Sequence, residues 1–100
     1  MPNNVHKMSK IYSPNFNLVK RQGKNIKYLI FHYTGMKSDN SAIRRLTNFN
    51  SKVSCHYYID FNGGLIQLVP DLYIAWHAGE SRWKNDKSLN NSSIGIEISN

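Results

Sequence analysis

The run Ile26-Lys27-Tyr28-Leu29-Ile30-Phe31-His32-Tyr33 constrains this chain more than any other feature. It is dense in β-branched and aromatic side chains and is closed by Thr34-Gly35, so it reads as a strand buried on both faces. Such a strand needs a sheet around it and covering layers above and below. With 100 residues there is room for one hydrophobic core and not for two. A hydrophobic content of 40% is enough to build that core.

The remaining elements follow from pattern. Ser38-Asp39-Asn40-Ser41 offers helix N-caps. Ala42, Ile43, Leu46 and Phe49 then recur at helical spacing, with Arg44, Arg45 and Asn48 on other faces. The expected helix has about three turns. Val53 to Asp60 is strand-like. Phe61-Asn62-Gly63-Gly64 predicts a hairpin with a type I′ turn at Asn-Gly, and Leu65-Ile66-Gln67-Leu68-Val69 returns as the partner strand, stopped by Pro70. Residues 71–78 read as a short irregular segment and Glu80 to Asn91 as a polar loop. Ile94-Gly95-Ile96-Glu97-Ile98 alternates strictly and forms the last strand.

The order β-α-β-β-loop-β predicts an α/β fold, a mixed central β-sheet with flanking helices. Ile94, Ile96 and Ile98 share one face and need a covering layer, yet the chain stops at Asn100 directly after a strand. The expectation is a domain truncated at its C-terminus. Residues 1–24 lack periodicity and read as an N-terminal basic arm, and residues 25–100 as the N-terminal part of a single domain.

Thirteen Lys and Arg against six Asp and Glu give a net charge of +7, concentrated before residue 61. Such a surface attracts a polyanion, whether nucleic acid, an anionic membrane or a cell-wall polymer; it is equally a solvated face. No aromatic-basic stacking motif stands at module spacing, so no specific nucleic-acid partner is expected. No apolar run approaches the ~20 residues that span a bilayer. The N-terminus has no apolar stretch behind its charges, so a cytoplasmic protein without a secretory signal is expected. The single cysteine, Cys55, excludes an intramolecular disulfide and a Cys-only zinc site.

Several residues could carry chemistry. Period-2 geometry puts Tyr28, Ile30 and His32 on one face of their strand. A histidine at a strand end is placed for a ligand or catalytic base, or is satisfied by a backbone carbonyl. Glu97 sits between Ile96 and Ile98, on the face of Gly95 and Ser93. It is either a solvated strand residue or a carboxylate in a partly dry cleft, where desolvation would make it useful as a general base. His77, between Trp76 and Ala78-Gly79, is a binding rim or a packed turn. Adjacent strand residues point to opposite faces, so Cys55 and His56 do not form a thiolate–imidazole dyad. Cys55 reads as a small core residue, and His56, sharing a face with Ser54, Tyr58 and Asp60, as a structural hydrogen-bonder. His6 lies in the arm and is given no role. These histidines match no compact local zinc pattern such as H-E-x-x-H, so any metal site is assembled by the fold.

Five blocks in order resemble the N-acetylmuramoyl-L-alanine amidase type 2 family, the zinc amidase fold that includes peptidoglycan recognition proteins. They are Ile30-Phe31-His32-Tyr33-Thr34; Val53 to Asp60 with Asn62-Gly63-Gly64; Ile66-Gln67-Leu68-Val69-Pro70; Trp76-His77-Ala78-Gly79; and Asn91 to Ile98. The resemblance covers about Ile26 to Asn100 and looks nearer to the cytosolic branch that recycles muropeptides. It implies that His32 is the first zinc ligand and that Glu97 activates the attacking water. It implies that Trp76 and His77 wall the cleft that meets the glycan or peptide, and that His56 is a framework histidine. The family's other two zinc ligands and its catalytic lysine match no residue of this chain. The implied reaction is zinc-dependent hydrolysis of the amide between N-acetylmuramic acid and L-alanine in peptidoglycan or muropeptide fragments. The alternative is a non-catalytic peptidoglycan-binding module of the same fold.

Overall fold

The computed structural model describes residues 8–79 and 81–100, so His6 and Glu80 lie outside the described residues. In chain order the elements are β1 (Ser9–Lys10), β2 (Phe16–Asn17), β3 (Tyr28–Tyr33), α1 (Asp39–Thr47), β4 (Tyr57–Ile59), β5 (Leu65–Gln67), β6 (Ile74–Ala75), β7 (Arg82–Trp83), β8 (Asp86–Lys87) and β9 (Ser93–Ile98). Five of the strands form one mixed sheet in the order β1-β5-β4-β9-β3. β9 lies between β3 and β4, parallel to both, while β5 runs antiparallel to β4. This is the mixed α/β architecture that the element order predicted.

The register sorts the side chains. Ile66, Tyr58, Glu97 and His32 form one row across β5, β4, β9 and β3. Tyr58 on that row packs with Ala42, Leu46, Cys55 and Leu68, so α1 covers this face of the sheet. Ser38 caps the helix, its hydroxyl accepting the Ser41 amide hydrogen at 3.1 Å. Ala42 and Leu46 are buried as their spacing predicted. Phe49 does not join them and is 55% exposed. Extended backbone at Asn48 ends the helix first, and Phe49 starts a separate 3-10 turn. Below the helix, the Tyr58 hydroxyl donates to Asp39 at 2.6 Å, and the Phe61 amide donates to the same carboxylate at 3.0 Å.

The expectation that β3 is buried on both faces is not met. Leu29, Phe31 and Tyr33 are 62%, 56% and 71% exposed. β3 is an edge strand, and the one α-helix among the described residues lies on the opposite face. Burial on two faces needs layers on both, which pattern within the strand does not reveal.

The hairpin between β4 and β5 exists, with a different turn. Gly63 adopts a φ of +82°, whereas Asn62 keeps an ordinary negative φ. The Gly63 amide donates to the Asp60 carbonyl at 2.9 Å, and the Asp60 amide donates to Gly64 at 2.9 Å. This is a three-residue loop, a type I turn followed by a left-handed glycine, in place of the expected type I′ turn. The Asp60 carboxylate accepts from the Asn62 and Gly64 amides at 3.0 and 2.6 Å, which favours the longer loop.

Segments without a clear pattern are ordered by long-range contacts. β1 pairs with β5, and β2 pairs with β6, so residues 71–78 contain a strand where irregular chain was expected. The polar loop contains the β7–β8 hairpin and a 3-10 turn at Leu89–Ser92. Asn15 is fully buried, and its side-chain amide donates to the carbonyls of Asn48 and Val53 at 2.9 and 2.8 Å. No helix among the described residues is long and apolar enough to cross a membrane.

Candidate active site

His32 and Glu97 come from the two longest strands and oppose each other directly on the helix-bearing face. Neighbouring strands are about 4.8 Å apart, so the two side chains rise side by side. Glu97 is half-buried, and desolvation raises its carboxyl above the ordinary carboxylate range, against the opposing pull of His32 and Arg45. Of the two environments open to it from sequence, the structure has the partly dry one. Tyr58, its other neighbour in the row, is fully buried and turned to Asp39.

His77 reaches the same place from the loop after β6. Its Nδ1 lies 3.0 Å from His32 Nε2, and its Nε2 lies 3.0 Å from Ser93 Oγ. The two rings stand edge to face with centroids 5.2 Å apart. Burial first, then the nearby His32, His56 and Arg21, push the His77 imidazole down to about 3. The ring lies directly over Gly95, where a Cβ would stand 2.4 Å from His77 Cγ. The amides of His77 and Ala78 both donate to Asn90 Oδ1, at 3.1 and 2.8 Å.

His56 is fully buried and acts as a frame. Its Nδ1 accepts the Gly95 amide hydrogen at 3.0 Å, which leaves the proton on Nε2 to go to the Tyr73 carbonyl at 2.8 Å. Its own amide donates to the Gly95 carbonyl at 2.9 Å. Strand alternation does not run through this segment. Cys55 and Tyr58 share the helix-side cluster, because β4 begins only at Tyr57 after a bend at His56. Cys55 is a buried core residue, and its thiol donates to the Tyr57 carbonyl at 3.2 Å. Burial, and then Glu97, push that thiol upward, away from the thiolate.

Trp76 is adjacent to this group in sequence but is tied elsewhere. Its indole N–H donates to Asn17 Oδ1 at 2.7 Å, and its amide donates to Ser54 Oγ at 2.9 Å. Four residues that sequence reasoning did not single out complete the site: Arg21, Asn90, Ser93 and Gly95. The sequence offers Arg21 only as one of thirteen basic side chains, yet it is buried beneath the site. Its guanidinium donates to the carbonyls of Asp71 and Asn90, both at 2.9 Å, and stands 3.2 Å from His56 Nε2. Nothing local in the sequence marks it. Gly95 did carry a signal, since glycine inside an isoleucine strand marks a close approach.

The donor chemistry at His32 fits a zinc ligand. One ring nitrogen is committed to His77, and the described residues give Nδ1 no hydrogen-bond partner. Glu97 beside it fits an acid–base group. Among the described residues no three His, Cys, Asp or Glu side chains group closely enough to hold a metal by themselves.

Comparison with known proteins gives the family of the chain. The family described as N-acetylmuramoyl-L-alanine amidase, Amidase_2, matches residues 22–100. The chain is 43% identical over 82 residues to the N-acetylmuramoyl-L-alanine amidase AmiD of Escherichia coli (strain K12), covering 75% of this chain and 29% of AmiD. The fold matches AmiD from E. coli in complex with the substrate anhydro-N-acetylmuramic acid-L-Ala-D-gamma-Glu-L-Lys, at 40% identity and a TM-score of 0.68, covering 80% of this chain and 34% of that one. It matches AMPDH3 from Pseudomonas aeruginosa in complex with anhydromuramic pentapeptide at 30% identity and a TM-score of 0.71, covering 90% of this chain and 39% of that one. An AmpD structure shares the fold at a TM-score of 0.76 and 24% identity, covering 93% of this chain and 61% of AmpD. This chain, with its mixed sheet and its His32–Glu97 pair, belongs to the N-acetylmuramoyl-L-alanine amidase family, Amidase_2.

Proposed function

We propose that this chain contributes the first metal ligand and the general base of a zinc-dependent amidase. The enzyme cleaves the amide between N-acetylmuramic acid and L-alanine in peptidoglycan or its fragments. One observation carries the proposal: His32 and Glu97 oppose each other on one face of the sheet, with Glu97 half-buried.

An amide is a weak electrophile with a poor leaving group. When bound, zinc polarises the scissile carbonyl and lowers the pKa of water to about 7. His32 presents an imidazole nitrogen to that centre. Glu97, with its carboxyl raised by desolvation, takes a proton from the attacking water and returns it to the departing amine. The wall that meets the muropeptide is assigned to His77, packed against His32, and to Trp76, which stands apart from the pair with its indole on Asn17. The net charge of +7 favours approach of stem peptides, which carry carboxylates. The relatives in complex with anhydro-muropeptides support this substrate class.

The alternative is a peptidoglycan-binding module without turnover, favoured by the absence of a three-donor cluster among the described residues. Incubation of the full chain with zinc and a muropeptide separates the two. Release of a peptide with a new N-terminal L-alanine, lost in Glu97→Gln, is the expected result. Muropeptide binding without release supports the module. Zinc content unchanged in His32→Ala removes His32 as a ligand.

A further inference from the structure

We propose that Ser93 and His77 form a positioning relay that places the proton of His32 on Nε2 and leaves Nδ1 as the lone pair of that ring. The hydrogen assignment starts at Leu89. Its carbonyl has no hydrogen to give, so at 2.6 Å it accepts the hydrogen bond of the Ser93 hydroxyl. With its one hydrogen used, Ser93 Oγ accepts from His77 Nε2 at 3.0 Å. With no carboxylate among its side-chain partners and its ring packed on Gly95, His77 carries a single proton, on Nε2, and accepts at Nδ1. The group facing that Nδ1 is His32 Nε2 at 3.0 Å, which therefore donates.

The surroundings hold the relay in place. Ser93 is fully buried, so its hydroxyl has no competing water. Gly95 lets the His77 ring lie against β9, and Asn90 fixes the backbone at the root of that ring. Contact with a substrate would not by itself require that both nitrogens of His77 be occupied from within the protein.

A histidine binds a metal through its unprotonated nitrogen, and the hydrogen bond made by the other nitrogen decides which one that is. In this chain the orienting acceptor is a second histidine, itself set by a serine. The use of the relay rests on His32 being a metal ligand; the tautomer does not.

Long-range proton–nitrogen NMR of the metal-free, nitrogen-15-labelled full chain at neutral pH reads the tautomers directly. The expected spectrum has His32 and His77 each protonated on Nε2 and bare on Nδ1. In Ser93→Ala the acceptor for His77 is lost, and His32 is expected to move to a mixture of tautomers. Ser93→Thr, which keeps the hydroxyl, is expected to restore the original one. A His32 proton on Nδ1 in the unsubstituted chain, a doubly protonated His77, or an unmoved His32 tautomer in a folded Ser93→Ala overturns the relay. The unsubstituted spectrum decides even where Ser93→Ala does not fold. Zinc added to the same sample separates the two proposals: a relay with the expected tautomers and a His32 ring unmoved by zinc supports the relay and removes the ligand assignment.

Discussion

The ring of His77 rests on the backbone of Gly95, at a separation that a single added methyl would reduce to 2.4 Å. Gly95 also exchanges two hydrogen bonds with His56, one through the imidazole and one through the amide. One glycine thus seats both histidines behind His32.

Gly95→Ala should therefore disturb the site and the fold together. Overpacking of this kind costs about 1–3 kcal/mol. For a domain of this size, each 1 kcal/mol lowers the melting temperature by roughly 4–8 °C. The matched control is Gly23→Ala, where nothing lies within 4 Å of the added Cβ and little change is expected. Thermal unfolding of both variants checks the contrast.

Arg21 should behave as a core residue despite its charge. Truncation to Ala leaves the carbonyls of Asp71 and Asn90 without their donor and opens a gap behind His56. A loss of about 1–3 kcal/mol is expected for the orphaned groups. Exposed Lys24→Ala and Lys37→Ala should fall within about 0.5 kcal/mol of the parent. Denaturant midpoints at constant ionic strength make the comparison. An Arg21→Ala chain as stable as the lysine variants would contradict the burial argument.

Acid should weaken the fold through His56. Desolvation first, then Arg21, hold its imidazole below the ordinary 6.5, against the Tyr73 carbonyl and Asp71. The unfolded chain regains the ordinary value. Between the two values the unfolded state binds a proton that the native state does not, so stability rises with pH. The contribution is full above about pH 6.5 and is lost as pH falls from there towards the lowered native value. Glu97 acts in the opposite sense: its raised carboxyl makes the native state bind the extra proton just above 4.5, so its contribution falls as pH rises there. Unfolding midpoints from pH 4 to 7.5 should slope upward, and His56→Asn should reduce the slope while leaving the part contributed by His77, which burial holds down at about 3.

Glu97→Gln should separate stability from turnover. It removes a desolvated charge from the sheet, so the unfolding free energy at pH 7 should rise, by about 0.5–2 kcal/mol. Amide cleavage should be lost in the same variant. Calorimetry beside a muropeptide assay checks both. A variant that is destabilised at neutral pH would mean that the carboxylate is satisfied by partners and is not held dry.

The sequence by itself determined the longest elements, β3, α1 and β9, and the face on which His32 and Glu97 sit. Period-2 alternation put His32 with Tyr28 and Ile30, and Glu97 with Gly95 and Ser93, since that parity is a property of any strand. The spacing of Ala42 and Leu46, and the capping serine at position 38, defined the helix for the same local reason. The five ordered blocks carried the family. Only the tertiary structure decided which strands meet, and so that residues 32 and 97, far apart in the chain, become neighbours. It also decided the hydrogen-bond roles of His77, Ser93 and Asn90, the burial of Arg21 and the bareness of Leu29, Phe31 and Tyr33. Those properties depend on what packs against a residue from elsewhere in the chain, and a pattern confined to neighbouring positions holds no record of it.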